Sequence, residues 1–331
     1  MIEWANSAAA KARPAPLLFL FGAGASFGAG RVSPYPPPLG CDLYDKLAEA
    51  FPRTWGAESR FAARAIDFRR DFEATMERCL EGNVTSAVSE LLDMAKYFAQ
   101  FEPGGDDLYS ALLRELLARS LIAQTVFGSL NYECVFETAA IRLGARLHYE
   151  GVDTALISDT DVRVIKPHGS CNFLTRESGR SPLPYLLTNS MVEAGTTSEN
   201  PEGVRKTLDA LAAEPTSART RYPVMSNYAS SKSTPLSPAQ ITQVRMGFSS
   251  RVQSAATIIV IGARPNEHDT HVWGPVRDCG GDVLYVGGDY ANLRCSRAQQ
   301  LGPTFQEAWE PLLRTLDAAA ATGTAGSRAA S

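Results

Sequence analysis

The sequence predicts an α/β fold, a Rossmann-like and mostly parallel sheet with helices on both faces, extended by a helical insertion and a variable lobe. Three observations carry this expectation. Leu17 to Phe21 is a short, unbroken apolar run and Thr257 to Ile261 is apolar from Ile258 onward, the pattern of strands covered on both faces. Each runs directly into a glycine turn, Gly22-Ala23-Gly24 after the first and Gly262-Ala263 after the second. Between them, apolar residues at three- and four-residue spacing alternate with further short strand candidates, as parallel sheets require.

Composition bounds the rest. At 331 residues the chain exceeds the usual single-domain size, so one sheet core with a large insertion, or two domains, is expected. Hydrophobic residues at 44% and charged residues at 21% exclude a disordered, fibrous or disulfide-dense protein. A formal charge of -4 gives no field to draw the chain onto nucleic acid or an anionic membrane. The apolar run near the start, Leu17 to Phe21, falls far short of the ~20 residues a spanning helix needs. The six cysteines lie apart in sequence with no C-x-x-C pair, and no secretory segment precedes them, so reduced thiols and a cytoplasmic location are expected.

Taken in order, residues 1–16 read as a disordered lead-in, residues 17–317 as the Rossmann-like domain and residues 318–331, rich in Ala, Gly, Ser and Thr, as a frayed tail. After the first strand and its turn, the prolines between Ser33 and Gly40 enforce a loop, and Asp42 is placed to cap a helix through Leu43, Leu47 and Phe51. A helical insertion spans about residues 55–119. Its clearest stripe is Val84, Val88, Leu91, Leu92, Ala95 and Phe98, with Asn83 as a start signal and Pro103-Gly104-Gly105 as a break, followed by a helix from Leu108 to Leu117.

Leu121 to Phe127 reads as the second strand and delivers Ser129-Leu130-Asn131-Tyr132-Glu133 to a helix that ends near Gly144. Val162 to Ile165 is a short strand that brings Lys166-Pro167-His168-Gly169-Ser170 to its carboxyl end, the edge where open α/β sheets keep their ligands. A variable lobe over about residues 175–250 lacks sustained periodicity in most of its length. Val283 to Val286 forms a late strand ending in Gly287-Gly288-Asp289, and Thr304 to Leu316 closes the chain as a helix.

Several of these turns hold residues with chemistry to offer, and each has a plainer reading beside it. The Gly22-x-Gly24 element lies between a strand and a helix start, where amides and the helix dipole suit a pyrophosphate, or it is an ordinary tight turn. It departs from the dehydrogenase fingerprint, because Phe27 holds the third glycine position and no acid follows at a second strand end. His168 faces a ligand crevice or is a histidine satisfied locally; Asn131 is a ligand contact or a turn residue. Asp269 and Asp289 divide between nucleotide contact and turn acid. His268 and His271 beside Asp269 would make a metal site short of a fourth ligand, so exposed polar residues are the better expectation.

The joint order of these elements resembles the sirtuin-like family. Gly22-Ala23-Gly24-Ala25-Ser26 is similar to its phosphate loop, Ser129-Leu130-Asn131-Tyr132-Glu133 to its Thr-x-Asn-x-Asp element, and Pro167-His168-Gly169-Ser170 to the segment with its catalytic histidine. Pro38-Leu39-Gly40 with Leu43 looks like a loop of the bacterial branch, and Val260-Ile261-Gly262 through Asp269 like its late strand and acid. Ser129 and Glu133 depart from the usual Thr and Asp. The two paired cysteine sets that build the deacylases' zinc site are missing, which points to the bacterial NAD-consuming branch of anti-phage defence.

The resemblance implies that NAD is the substrate and that no metal is needed, because nicotinamide is itself a cationic leaving group. It implies Asn131 on the nicotinamide ribose or the attacking water, and His168 as general base. Gly22, Ala23, Gly24 and Ser26 would cradle the pyrophosphate, with Ser170, Gly262, Asp269 and Asp289 also at the nucleotide. A separately encoded sensor and a homo-oligomer are the implied partners, with no nucleic acid or membrane contacted directly. Two alternatives of other classes stand beside NAD hydrolysis: transfer of ADP-ribose or of an acyl group from lysine, and a non-catalytic NAD or ADP-ribose sensor.

Overall fold

In a computed structural model, residues 17–80, 87–153, 156–175, 192–194, 201–214, 221–226 and 238–328 are described. Their strands are β1 (Leu17–Phe21), β2 (Val32–Ser33), β3 (Glu102–Pro103), β4 (Thr125–Ser129), β5 (Leu147–Tyr149), β6 (Val162–Ile165), β7 (Gly169–Thr175), β8 (Val192–Ala194), β9 (Pro223–Met225), β10 (Thr257–Ile261), β11 (Asp282–Val286) and β12 (Ala298–Gly302). Seven form one sheet in the order β12-β11-β10-β1-β4-β6-β5. Every neighbouring pair in it is parallel. With helices around it, this is a Rossmann-like α/β fold.

β1 takes the centre because it has no polar side chain to expose: all five residues are buried. Its Phe19 and Phe21 stack on Phe127 of β4, and Phe21 also meets Tyr109 and Phe136. Burying each such side chain contributes roughly 1.5–3 kcal/mol. The strand order grows outward from β1 in one direction through β4 and β6, then resumes on its other flank with β10. The reversal therefore falls between β1 and β10, and the crevice of such a sheet opens at the carboxyl ends beside that point.

The register brings those ends level. Phe21 pairs with both Ser129 and Ile261, Gly128 with Ile165, and Ile261 with Val286. The five turns that leave β1, β4, β6, β10 and β11 thus line one edge. A second, antiparallel sheet in the order β8-β7-β9 stands beyond β6 in the chain. Between β2 and β4 the chain is largely helical, over Gly40–Ala50, Pro52–Trp55, Ala65–Arg70, Phe72–Leu80, Ala87–Phe98 and Leu108–Ala118. Trp55 packs with Phe61, Phe68 and Phe72 into an aromatic patch continuous with the main core.

Several boundaries differ from expectation. The strand expected from Leu121 begins only at Thr125, because Ile122–Gln124 is a 3-10 turn closed by the Thr125 hydroxyl on the Leu121 carbonyl. The helix expected to be capped by Asp42 starts at Gly40, with Asp42 inside its first turn. The closing helix begins at Trp309, after a turn in which Thr304 accepts from the Glu307 amide, and it continues to Arg328 through the expected tail. Within the expected lobe, helices occupy Pro201–Ala213 and Pro238–Ser254. The lead-in 1–16, the Asn83 start signal with Val84, and most of residues 176–237 lie outside the described residues.

Candidate active site

Asn131 follows β4 by two residues and is buried. Its Nδ2 donates to the Gly22 carbonyl at 3.1 Å and to Ser26 Oγ at 3.1 Å. Both amide hydrogens are thereby committed, which also fixes which way the amide faces, since each partner accepts. The carbonyl oxygen Oδ1 is what Asn131 has left to offer a ligand.

The anchor itself is anchored. Ser26 is fully buried and its hydroxyl donates to Glu133 Oε1 at 2.6 Å. A hydroxyl has one proton, so the Tyr109 hydroxyl at 2.8 Å must be the donor in its own bond with Ser26. Burial holds the Tyr109 phenol well above its ordinary range, which keeps that donor protonated. Glu133 Oε2 accepts the Val135 amide at 2.6 Å. Burial pushes the Glu133 carboxyl above the usual glutamate value, against the opposing pull of Lys166.

Lys166 lies behind this network, fully buried, and donates to the Glu133 carbonyl at 2.8 Å and to Glu137 at 2.7 Å. Burial alone would lower its pKa, but Glu137 with Cys134 and Glu133 outweighs burial and the ammonium is held above the ordinary lysine value. Neither Tyr109 nor the Lys166–Glu137 pair was expected at the site from sequence. Lys166 had a signal in its place beside Pro167-His168; Tyr109 had none, because it arrives from the helical insertion.

His168 sits in the turn between β6 and β7, with its backbone carbonyl accepting the Ser226 amide at 2.7 Å. The turn is tied to the Asn131 turn through Tyr132, whose carbonyl accepts the Cys171 amide at 2.8 Å and the Ser170 hydroxyl at 3.3 Å. Its imidazole is buried, and Nε2 makes no hydrogen bond; it stands 3.6 Å from Asp269 Oδ1. His271 packs edge-on against the His168 ring, with centroids 5.2 Å apart. His271 is thus neither in a loop nor solvent-exposed: it lies in the first turn of the helix Thr270–Arg277, whose packing turns it inward. His268 is exposed, as expected. The grouping of histidines with Asp269 is therefore His168 with His271, and the separation of 103 positions hid it from sequence.

The glycine turn is built by close approach. A Cβ on Gly22 would lie 2.3 Å from the Ala263 Cα, and Gly262 holds φ +62 with Ala25 N where its Cβ would go. The two loops interlock backbone to backbone: the Gly24 amide, expected on a pyrophosphate, donates to the Gly262 carbonyl at 2.9 Å. The Ser26 hydroxyl, expected there too, is committed to Asn131, Glu133 and Tyr109. What the turn shows to solvent is Ala23, part of Gly24, and Phe27. Ser170 is fully buried, and Asp289 stands partly exposed beyond β11, 3.8 Å from Arg264. All six cysteines are free, and Cys134 and Cys171, distant in sequence, lie with sulfurs 3.6 Å apart behind this wall.

No family model matches the chain, and no curated protein matches it. Among solved structures, it is similar to a mutant Sir2 homologue in complex with ADP-ribose, at 15% identity and a TM-score of 0.45 over 92% of each chain. A Sir2 homologue in complex with NAD is similar at 14% identity and a TM-score of 0.44, over 92% of this chain and 90% of that one. A Sir2 protein bound to a propionylated peptide follows at 13% identity and 0.39, over 91% of each.

Proposed function

We propose that the protein binds NAD at the carboxyl edge of its sheet and hydrolyses the nicotinamide–ribose bond. The observation that carries this reading is that the turns bearing Asn131 and His168 leave the paired strands β4 and β6 at that edge and are tied together through the Tyr132 carbonyl, while Asn131 itself is bonded to Gly22 of the interlocked glycine loops. The exposed rim of the first loop, Ala23 and Gly24, lies under the dinucleotide. Gly22 and Gly262 shape that rim and Ser26 positions Asn131, while Ser170 supports the His168 turn.

In the proposed reaction, Asn131 Oδ1 accepts from a hydroxyl of the nicotinamide ribose or from the attacking water. The C1′–nitrogen bond breaks with its electron pair leaving on nicotinamide, which loses its positive charge. Water oxygen bonds to C1′, and its proton passes to His168. The products are nicotinamide, ADP-ribose and one proton. Asp269 Oδ1 stands 3.6 Å from Nε2. A positioned general base of this kind is worth roughly 10²–10⁴ in rate. On the resemblance to the bacterial branch, the activity serves NAD depletion in anti-phage defence, in the cytoplasm, under a separately encoded sensor and in a homo-oligomer.

Incubating the purified full chain with NAD, with and without neighbouring gene products, and following nicotinamide and ADP-ribose by chromatography tests the reading. Stoichiometric release of both is expected. Intact NAD under every condition overturns hydrolysis in favour of a nucleotide sensor, and ADP-ribose or an acetyl group recovered on another molecule overturns it in favour of transfer.

A further inference from the structure

His168, Asp269 and His271 bring one ligand atom each to within 4.8 Å of one another. We propose that they bind a single divalent ion of the zinc class, with His168 in the place that the sequence offered to His268. Two imidazoles and a carboxylate are a donor set that borderline divalent metals favour.

The spacing separates this from simple hydrogen bonding. A carboxylate that only orients an imidazole approaches it to about 2.7–3.0 Å. Here His168 Nε2, buried, makes no hydrogen bond and stands 3.6 Å from Asp269 Oδ1. Ligand atoms bound to one tetrahedral zinc at ~2.0–2.2 Å lie roughly 3.3–3.6 Å apart, so the His168–Asp269 pair already has that separation. Side-chain adjustments of under about 1 Å bring His271 into the same shell.

The backbone holds the three in place. Asp269 and His271 leave the same helix start, where the Val272 and Trp273 amides donate to the Asp269 carbonyl at 2.9 Å. His168 comes from the opposite wall, its own carbonyl fixed by the Ser226 amide. The site stands on this geometry alone. Its consequence rests on the reading above: an ion on Nε2 occupies the lone pair that would accept the water proton, so it silences NAD cleavage reversibly.

Titrating the full chain with Co²⁺ as a visible-absorbing probe, then displacing it with Zn²⁺, tests the site without NAD. One ion per chain with ligand-field absorption is expected. In His271→Ala, with His271→Gln as the milder companion, affinity falls by more than the roughly 10- to 100-fold lost with an outer-shell partner. Absence of binding overturns the site, as does equal binding in both variants when circular dichroism shows them folded. So does a near-ultraviolet thiolate band that disappears in Cys134→Ser, since that places the ion on the Cys134–Cys171 pair. NAD cleavage that falls with added Zn²⁺ and returns with a chelator confirms the consequence. An ion bound as described without any NAD cleavage removes the functional reading and leaves the site; cleavage without binding does the reverse.

Discussion

The two walls of the candidate site are built on opposite principles. Asn131 is locked: its amide is held by Gly22 and Ser26, and Ser26 by Glu133 and Tyr109, through contacts of 2.6–3.1 Å. His168 is held by its backbone but not by its ring, whose Nε2 has 3.6 Å to the nearest carboxylate described at it. A group that must present one oxygen in one direction gains from preorganisation. A group that must take up and release a proton, or an ion, needs an unengaged lone pair. The contrast agrees with the proposed roles, positioning for one wall and transfer for the other.

The largest effects should come from removing either working atom. Asn131→Ala and His168→Ala are each expected to lower NAD cleavage by roughly 10²–10⁴ while the protein stays folded. Asn131→Asp sharpens the comparison, because an aspartate of the same shape has no hydrogens for Gly22 O and Ser26 Oγ. It should lose activity like the alanine variant. Steady-state rates with melting curves measure all three, and full activity in any one removes the role given to that residue.

How much of this was legible in the sequence follows from where each constraint lives. β1, β10 from Ile258 and β11 from Val283 showed as apolar runs because burial favours apolar side chains along them, whereas β6 is apolar on either side of Arg163. Asn131 and His168 showed through their place after a strand. Tyr109 and His271 did not, since they come from helices whose apolar stripes look like any other and whose approach is set by tertiary packing. The bond from the Gly24 amide to the Gly262 carbonyl was not legible for a related reason: a glycine turn reads the same whether it faces a phosphate or another loop's backbone.

The next effect tests the locked wall without touching its working atom. Ser26→Ala takes the acceptor from Asn131 and Tyr109 and the donor from Glu133, all buried. Groups left buried and unsatisfied cost about 1–3 kcal/mol each way such a bond is lost. Denaturant unfolding should show a stability loss of that order, and kcat should fall more than KM rises because Asn131 loses its aim. A loss of stability with kcat intact would mean that Ser26 supports the fold and not the site.

A smaller effect comes from Glu133, whose carboxyl burial holds above the ordinary glutamate value. The folded chain then keeps a proton that the unfolded chain has already released, so between the ordinary value and the raised one stability falls as pH rises. Glu133→Gln has no proton to release and should flatten that slope. Unfolding free energies measured across about pH 5–8 in both proteins decide it. Equal slopes would place the titrating group elsewhere.

The smallest effect is expected at the rim. Asp289 is partly exposed and pairs only loosely with Arg264, 3.8 Å away and itself largely in solvent. Screening leaves such a pair little to contribute, so Asp289→Ala should change unfolding free energy by no more than about 0.5 kcal/mol. Its position after β11, at the level of the other four turns, suits a nucleotide hydroxyl remote from the bond that breaks. A contact there binds ground state and transition state alike, which raises KM for NAD in the variant and leaves kcat unchanged. If KM stays put as well, Asp289 is a turn acid only, and the nucleotide's grip must come from the walls that hold Asn131 and His168.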